Sequence, residues 1–196
     1  VTSTVQQPLT IDSNLTWQMV EKRLAEESDP VVRENLRLVH DHMKYEAVGN
    51  IQGVLTTLCS SPVYHFYVPG FTDIDGAGSQ KPVELFYENM LIDEGGVRLQ
   101  YKVDRVLADR QAVSTEGEYL QAYPGRALIA KGIQVDDPDA YYAAACRMLL
   151  TWPRHATEPK LTGEEAWVDR DMFEGIASRK VTNIIDADPG DEWRVQ

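Results

Sequence analysis

Asp169 is the first residue whose type and setting suggest chemistry, because it closes the run Glu164-Glu-Ala-Trp-Val-Asp169 beside Trp167. A carboxyl held in apolar surroundings has its pKa raised towards neutrality, where it can move protons to and from a carbon acid. An exposed aspartate at a strand end, paired with Arg170 or Arg147, accounts for the same residue. His65 lies in Tyr64-His-Phe-Tyr67, where strand alternation puts Val63, His65 and Tyr67 on one face and Tyr64, Phe66 and Val68 on the other. An imidazole among aromatics can act as a neutral proton shuttle or sit as a core histidine bonded to the backbone. His40 shares a helical stripe with Leu36 and Met43 and so points towards a cavity or a core, whereas His42 and His155 look peripheral.

Tyr45, Tyr67, Tyr87 and Trp152 are the aromatics expected around a ligand, since a phenol donates to a carbonyl or enolate oxygen while its ring packs on a flat apolar molecule. Plain core packing uses the same residues. Ser114, Glu116 and Glu118 share one strand face, as do Glu165 and Asp169. Two carboxylates converging from such strands are acid/base machinery, and a solvated outer face gives the same alternation. His65-x-Tyr67 and His40-x-His42 lack the further ligands of a catalytic metal, and HExxH is absent, so neither metal nor cofactor is expected. Gly76-x-Gly78 does not sit between a strand and a helix, which excludes a dinucleotide fingerprint.

Positioning these groups takes one domain. A chain of 196 residues, 43% hydrophobic and 26% charged, is long enough for one buried core. Its net charge of −12 opposes a phosphate backbone, so nucleic acid is not an expected partner. Cys59 and Cys146 lie in apolar runs at spacings that suggest neither metal nor disulfide, which points to buried thiols in a reducing, cytoplasmic compartment. No stretch approaches the ~18 apolar residues of a spanning helix, and residues 1–10 lack the pattern of an export signal, so no membrane association is expected.

Residues 1–13 are polar and without period, and Ser13 or Asn14 can cap a helix that ends at Ser28-Asp-Pro30. Pro30 opens a long helix in which Val32, Leu36, Val39, Met43 and Ala47 recur up to Gly49. Asn50 caps a short helix that ends at Ser60-Ser61-Pro62, a strand covers 63–69, a loop spans 70–79, and a further helix runs over 83–91. Strands follow at 97–108, 111–123, 127–134, 141–152 and 163–169, with Asp109-Arg110 as a hairpin turn, and the tail from 186 to 196 reads as loose. Helices first and a bent antiparallel sheet afterwards make an α+β domain with a pocket at the open end of a cone.

The run Gly49-Asn-Ile-Gln-Gly-Val-Leu-Thr-Thr-Leu58 with Pro62-Val-Tyr-His-Phe66, then Pro82-Val-Glu-Leu-Phe-Tyr87, Arg105-Val-Leu-Ala-Asp109 and Glu164-Glu-Ala-Trp-Val-Asp169, resembles the nuclear transport factor 2-like superfamily, and SnoaL-like proteins within it. The resemblance covers residues 31–175, leaving 1–30 and 176–196 as extensions. It implies a cone-shaped, mostly antiparallel sheet wrapped around the N-terminal helices, one hydrophobic cavity, and Asp169 as the counterpart of an acid/base aspartate in some cyclases. Asn50 stands where the family commonly has Asp, and the segment 124–140 is longer than usual. Together with outer-face apolar residues, the resemblance also implies a homodimer or higher assembly.

The expectation is a cofactor-free enzyme of isomerase, cyclase or dehydratase type acting on a small apolar oxygenated molecule. Asp169 or His65 would move the proton, while Tyr45, Tyr67, Tyr87, Trp152, His40 and Glu116 would line the substrate. A noncatalytic binding or assembly module is the main alternative, and epoxide hydrolysis is the third.

Overall fold

Asp29 starts the helix on which the fold is assembled. The computed structural model describes residues 8–68, 70–96 and 98–195, and in it Asp29 Oδ1 accepts the amides of Val31 and Val32 at 2.9 and 3.2 Å. Pro30 occupies the first turn, where no amide is missed. The helix that follows, α2 (Pro30–Ala47), buries Val32, Leu36, Val39 and Met43, each contributing roughly 1.5–3 kcal/mol by leaving water. Two shorter helices, α1 (Leu15–Glu26) and α3 (Ile51–Thr57), pack against it. Asn50 Oδ1 accepts the Gly53 amide at 2.9 Å, the expected cap of α3.

The sheet is built from β2 (Leu58–Tyr67), β3 (Ile74–Asp75), β4 (Leu99–Ala108), β5 (Ala112–Pro124), β6 (Tyr141–Pro153) and β7 (Leu161–Val168), in the order β3-β2-β7-β6-β5-β4. Every neighbouring pair is antiparallel except β2 and β7. Between β3 and β4 lies α4 (Lys81–Tyr87), which continues as a π-helical turn over Glu88–Asp93. Asp109 makes the β4–β5 turn by accepting the amides of Gln111 and Ala112 at 2.7 and 2.9 Å. Alternation puts Val113, Thr115 and Tyr119 of β5, and Cys146, Leu150 and Trp152 of β6, against the helices. A register shift between Val103 and Arg105, opposite Gly117, bends the sheet around them. The outcome is the expected α+β architecture, a curved and mostly antiparallel sheet wrapped around N-terminal helices.

Gly163 controls the phase of β7. Its φ is +147°, and a Cβ there would lie 1.9 Å from the Val63 carbonyl oxygen on β2. The strand therefore presents Leu161 and Gly163 to the interior and then, after the irregularity, Glu164 and Ala166.

Several local expectations are corrected. The segment expected as a strand at 127–134 contains a helical turn, α5 (Gly125–Ala130), because the amides of Gly125 and Arg126 bond to the carbonyls of Ala140 and Pro138 in the following loop. Strand β2 begins at Leu58, so the chain is already extended through Ser60-Ser61-Pro62. Asn14 makes no side-chain cap to α1; its Oδ1 accepts the Asp188 amide at 2.8 Å instead. Both extensions are ordered where they meet: β1 (Leu9–Asp12) pairs in parallel with β8 (Val181–Ile185). Ile11 of that ribbon packs on Leu120, Ala122 and Ala143 and so covers part of the sheet's outer face. Residues 1–7, Pro69, Val97 and Gln196, which fall in the expected N-terminal coil, strands and C-terminal tail, lie outside the described residues. Among the described residues no helix is long and apolar enough to cross a membrane.

Replacing Gly163 with Ala forces Cβ into the β2 backbone at a φ that L-residues avoid. Gly163→Ala is expected to lower the unfolding free energy by about 1–3 kcal/mol, read as a reduced denaturant midpoint.

Candidate functional site

The helices and the inner sheet face enclose a cavity of about 70 Å³, walled by apolar side chains such as Met43, Phe66, Phe86, Tyr119 and Trp152. Two carboxyl groups enter it, Glu46 from α2 and Glu164 from β7. His42, one turn before Glu46, is fully buried. One donor atom from each of His42, Glu46 and Glu164 lies within 4.8 Å of the other two.

Hydrogen bonds fix the protons of this group. Thr57 Oγ1 donates to the Val54 carbonyl at 2.6 Å, so towards His42 Nδ1, 2.8 Å away, it accepts. Nδ1 therefore carries a hydrogen and Nε2 faces the interior. There Nε2 lies 3.0 Å from the Tyr87 hydroxyl and 2.9 Å from Glu164 Oε1. That oxygen also accepts the Trp152 indole N–H at 3.1 Å and the Tyr87 hydroxyl at 3.3 Å. The Tyr64 hydroxyl, 3.1 Å from that of Tyr87, supports it from behind. Glu164 Oε1 thus has the Trp152 and Tyr87 donors and the edge of the His42 ring gathered around it.

Glu46 has a different environment. Among the described residues it has no hydrogen-bonding protein partner, and its carboxyl is held well above the ordinary carboxylate range, first by burial and second by the negative charge of Glu164. Burial likewise pushes the Tyr64 and Tyr87 phenols well upwards, so both remain donors at neutral pH. The two carboxyls thus differ in environment: one is surrounded by donors, and the other lies in an apolar wall that favours its protonated form.

His42, Glu46 and Glu164 also form a donor set that could hold a divalent cation, with the His42 tautomer fixed as a ligand would need. Binding would require His42 Nε2 and Glu164 Oε1 to give up the contacts with Tyr87 and Trp152 that already satisfy them. A second cluster, Cys59, His155 and Glu158, offers less, because His155 Nδ1 already accepts the amides of Thr157 and Glu158. Both cysteines are free and buried, and burial raises both thiols, Cys146 to about 12, which leaves neither a ready nucleophile.

Of the residues singled out in the sequence, Tyr87 and Trp152 border the cavity. Asp169 does not. It ends β7 on the outer side, accepts the Arg147 amide at 2.8 Å and pairs with Arg170 at 2.6 Å. That guanidinium lowers its carboxyl pKa, the opposite of the expected rise. His65 points outward with Nδ1 2.9 Å from Asp73 Oδ2, its side chain 44% exposed. Tyr67, 57% exposed, stacks on Trp167 at 4.6 Å on the same outer face. Glu116 is outside too, bonded to Arg147 at 2.9 Å. His40 and Tyr45 lie on the far side of α2, where Trp193 of the C-terminal tail packs at 5.8 and 4.9 Å from their rings.

Sequence reasoning misses Glu46 and Glu164 and places His42 at the periphery. One signal is present: Asn35, Val39, His42 and Glu46 recur at helical spacing, a stripe beside the one that carries His40. Glu164 gives none, because the irregularity at Gly163 resets the alternation.

In sequence, no family model and no curated protein matches the chain. Solved structures do match. One from Shewanella putrefaciens, described as a SnoaL-like polyketide cyclase, superposes with a TM-score of 0.61 at 11% identity, over 80% of this chain and 92% of that one. A protein of the same description from Shewanella denitrificans gives 0.58 at 13% identity, over 76% and 97%. An LEH-like epoxide hydrolase of M. tuberculosis gives 0.52 at 17% identity, over 75% and 92%. The fold is that of the nuclear transport factor 2-like superfamily. At these identities the likeness is one of fold.

The raised pKa of Glu46 links stability to pH. An unfolded chain releases this proton near pH ~4.3, whereas the folded chain keeps it to higher pH, so across that interval the native state binds more protons and its stability falls as pH rises. The contribution is complete below the unfolded value and is lost as pH climbs through the folded one. Glu46→Gln removes this dependence, so the stability of the natural chain relative to the variant should decline steadily from weakly acid to neutral pH, measured by urea unfolding at each pH.

Proposed function

We propose that the chain is an acid/base enzyme that acts on a small, mostly apolar, oxygenated molecule within the cone. The observation that carries this reading is the convergence of Glu46 and Glu164 in an apolar cavity, with buried His42 within 4.8 Å of both. Glu46, whose protonated form its burial and the neighbouring Glu164 favour, donates to a substrate oxygen. Glu164, backed by His42 and held by Trp152 and Tyr87, takes a proton from the adjacent carbon. The bond electrons move into an enol, with no net oxidation. Returning the proton elsewhere isomerises the molecule, expelling a β-oxygen dehydrates it, and attack on an internal carbonyl cyclises it. The surrounding rings exclude water and hold the reacting carbons in place.

A noncatalytic binding module would need the cavity without the proton chemistry. Deuterium exchange separates the two even while the natural substrate is unidentified. Simple ketones and enones incubated with the protein in D₂O should exchange at the carbon beside the carbonyl, followed by NMR. Glu46→Gln and Glu164→Gln should each slow that exchange by about 10²–10⁴-fold, while Asp169→Asn and His65→Gln leave it unchanged and chelators have no effect. An absence of exchange above background across the panel would favour the binding module. Loss of exchange on chelation would point to a cation on the same three side chains.

A further inference from the structure

Next to the reactive cavity the fold holds a second, larger hollow of about 400 Å³. Tyr123, Ile133 and Phe173 contribute apolar walls, and Asn89, Glu94, Lys131 and Asp171 contribute polar groups. Phe71, Phe86 and Met90 border both spaces. The partition is therefore made of side chains. Phe71 and Phe86 lean on Phe66 with ring centroids 5.5 and 5.4 Å apart, and Met90 is an unbranched, adaptable thioether. Met90 rides on the π-helical turn over Glu88–Asp93, a departure from α-helical winding that recurs at functional sites.

Charge in the outer space is already assigned. Lys131 Nζ lies 2.5 Å from Glu94 Oε1, and that oxygen also accepts Asn89 Nδ2 at 3.1 Å. Asp171 has the Phe173 amide as a partner at 2.9 Å. Among the described residues lining this space no cation is left over for an anionic ligand, and the acids outnumber the lysine.

We propose that the partition is a gate and the outer hollow a second subsite of the same pocket, so that the protein takes an elongated, uncharged amphipathic molecule. Its oxygenated end meets Glu46, its apolar body passes between Phe71, Phe86 and Met90, and its far end rests among the polar groups of the outer space. This rests on the inner cavity being the reactive end. It adds that length and charge at the opposite end of the ligand decide what is accepted.

The test is binding of straight-chain methyl ketones of increasing length to the whole protein, followed by calorimetry. Affinity should rise by about fourfold per added methylene through the long members of the series. Ile133→Trp, which fills the outer space, should bring long ketones back to the affinity of short ones without weakening the short ones, and Met90→Phe, which thickens the partition, should likewise cost the long ketones their advantage. A carboxylate at the far end of a long ketone should weaken binding at least about tenfold. Affinity that levels off among the shortest members, variants that weaken short and long ketones alike, or equal binding of the charged ketone would overturn the proposal. Deuterium exchange of the short ketones reads the inner chemistry separately, so a failure of either reading is visible alone.

Discussion

Burying the Glu164 carboxylate is the constraint on which the rest of the structure depends. A carboxylate in an apolar cone costs several kcal/mol unless donors replace the lost water, and here they come from separate elements, Trp152 on β6 and Tyr87 on α4, with the His42 ring of α2 against the same oxygen. Each is held by a further contact, His42 by Thr57 and Tyr87 by Tyr64. Removing one partner would leave the others facing an uncompensated charge, so helices and sheet must close on one another in a single arrangement. The cavity and its electrostatics are one feature, because Trp152 and Tyr87, which donate to Glu164, are also walls of the cavity.

Glu46 follows from that arrangement. It lies one helical turn beyond His42, close enough to feel the charge on Glu164, and none of the same donors reaches it. The fold thereby produces two carboxyls of unlike character at one place, which is what proton transfer to oxygen and from carbon requires. Asp169 shows the contrast. It has the right residue type and the right neighbour in sequence, yet an adjacent arginine and an outward position make it an ordinary surface carboxylate.

Architecture is legible in the sequence because its signals are local and redundant. The stripe Val32, Leu36, Val39, Met43, the helix start at Pro30, the cap at Asn50, and the alternation along β5 and β6 each agree with the tertiary packing. The site is not, for two physical reasons. Helix α2 is buried on more than one side, since α1, α3, the sheet and the tail all cover it, so its innermost stripe cannot be told from its neighbour. On β7 a glycine with φ +147° breaks period-two reasoning just before the functional residue. The terminal ribbon escapes notice because pairing between residues ~170 positions apart leaves no periodic trace in either segment. Tyr87 and Trp152 stand out by ring chemistry, and the sheet's curvature and the helix face, which the sequence does not display, put them against the cavity.

A raised Glu46 pKa means that the natural chain carries an un-ionised carboxylic acid at neutral pH. Infrared difference spectroscopy, with the natural chain compared against Glu46→Gln in D₂O, tests it directly through the carbonyl stretch of an un-ionised carboxylic acid. This band is expected in the natural chain at neutral pH, is absent from the variant, and weakens as the pH is raised further. A natural chain that shows only ionised carboxylate at neutral pH would contradict it.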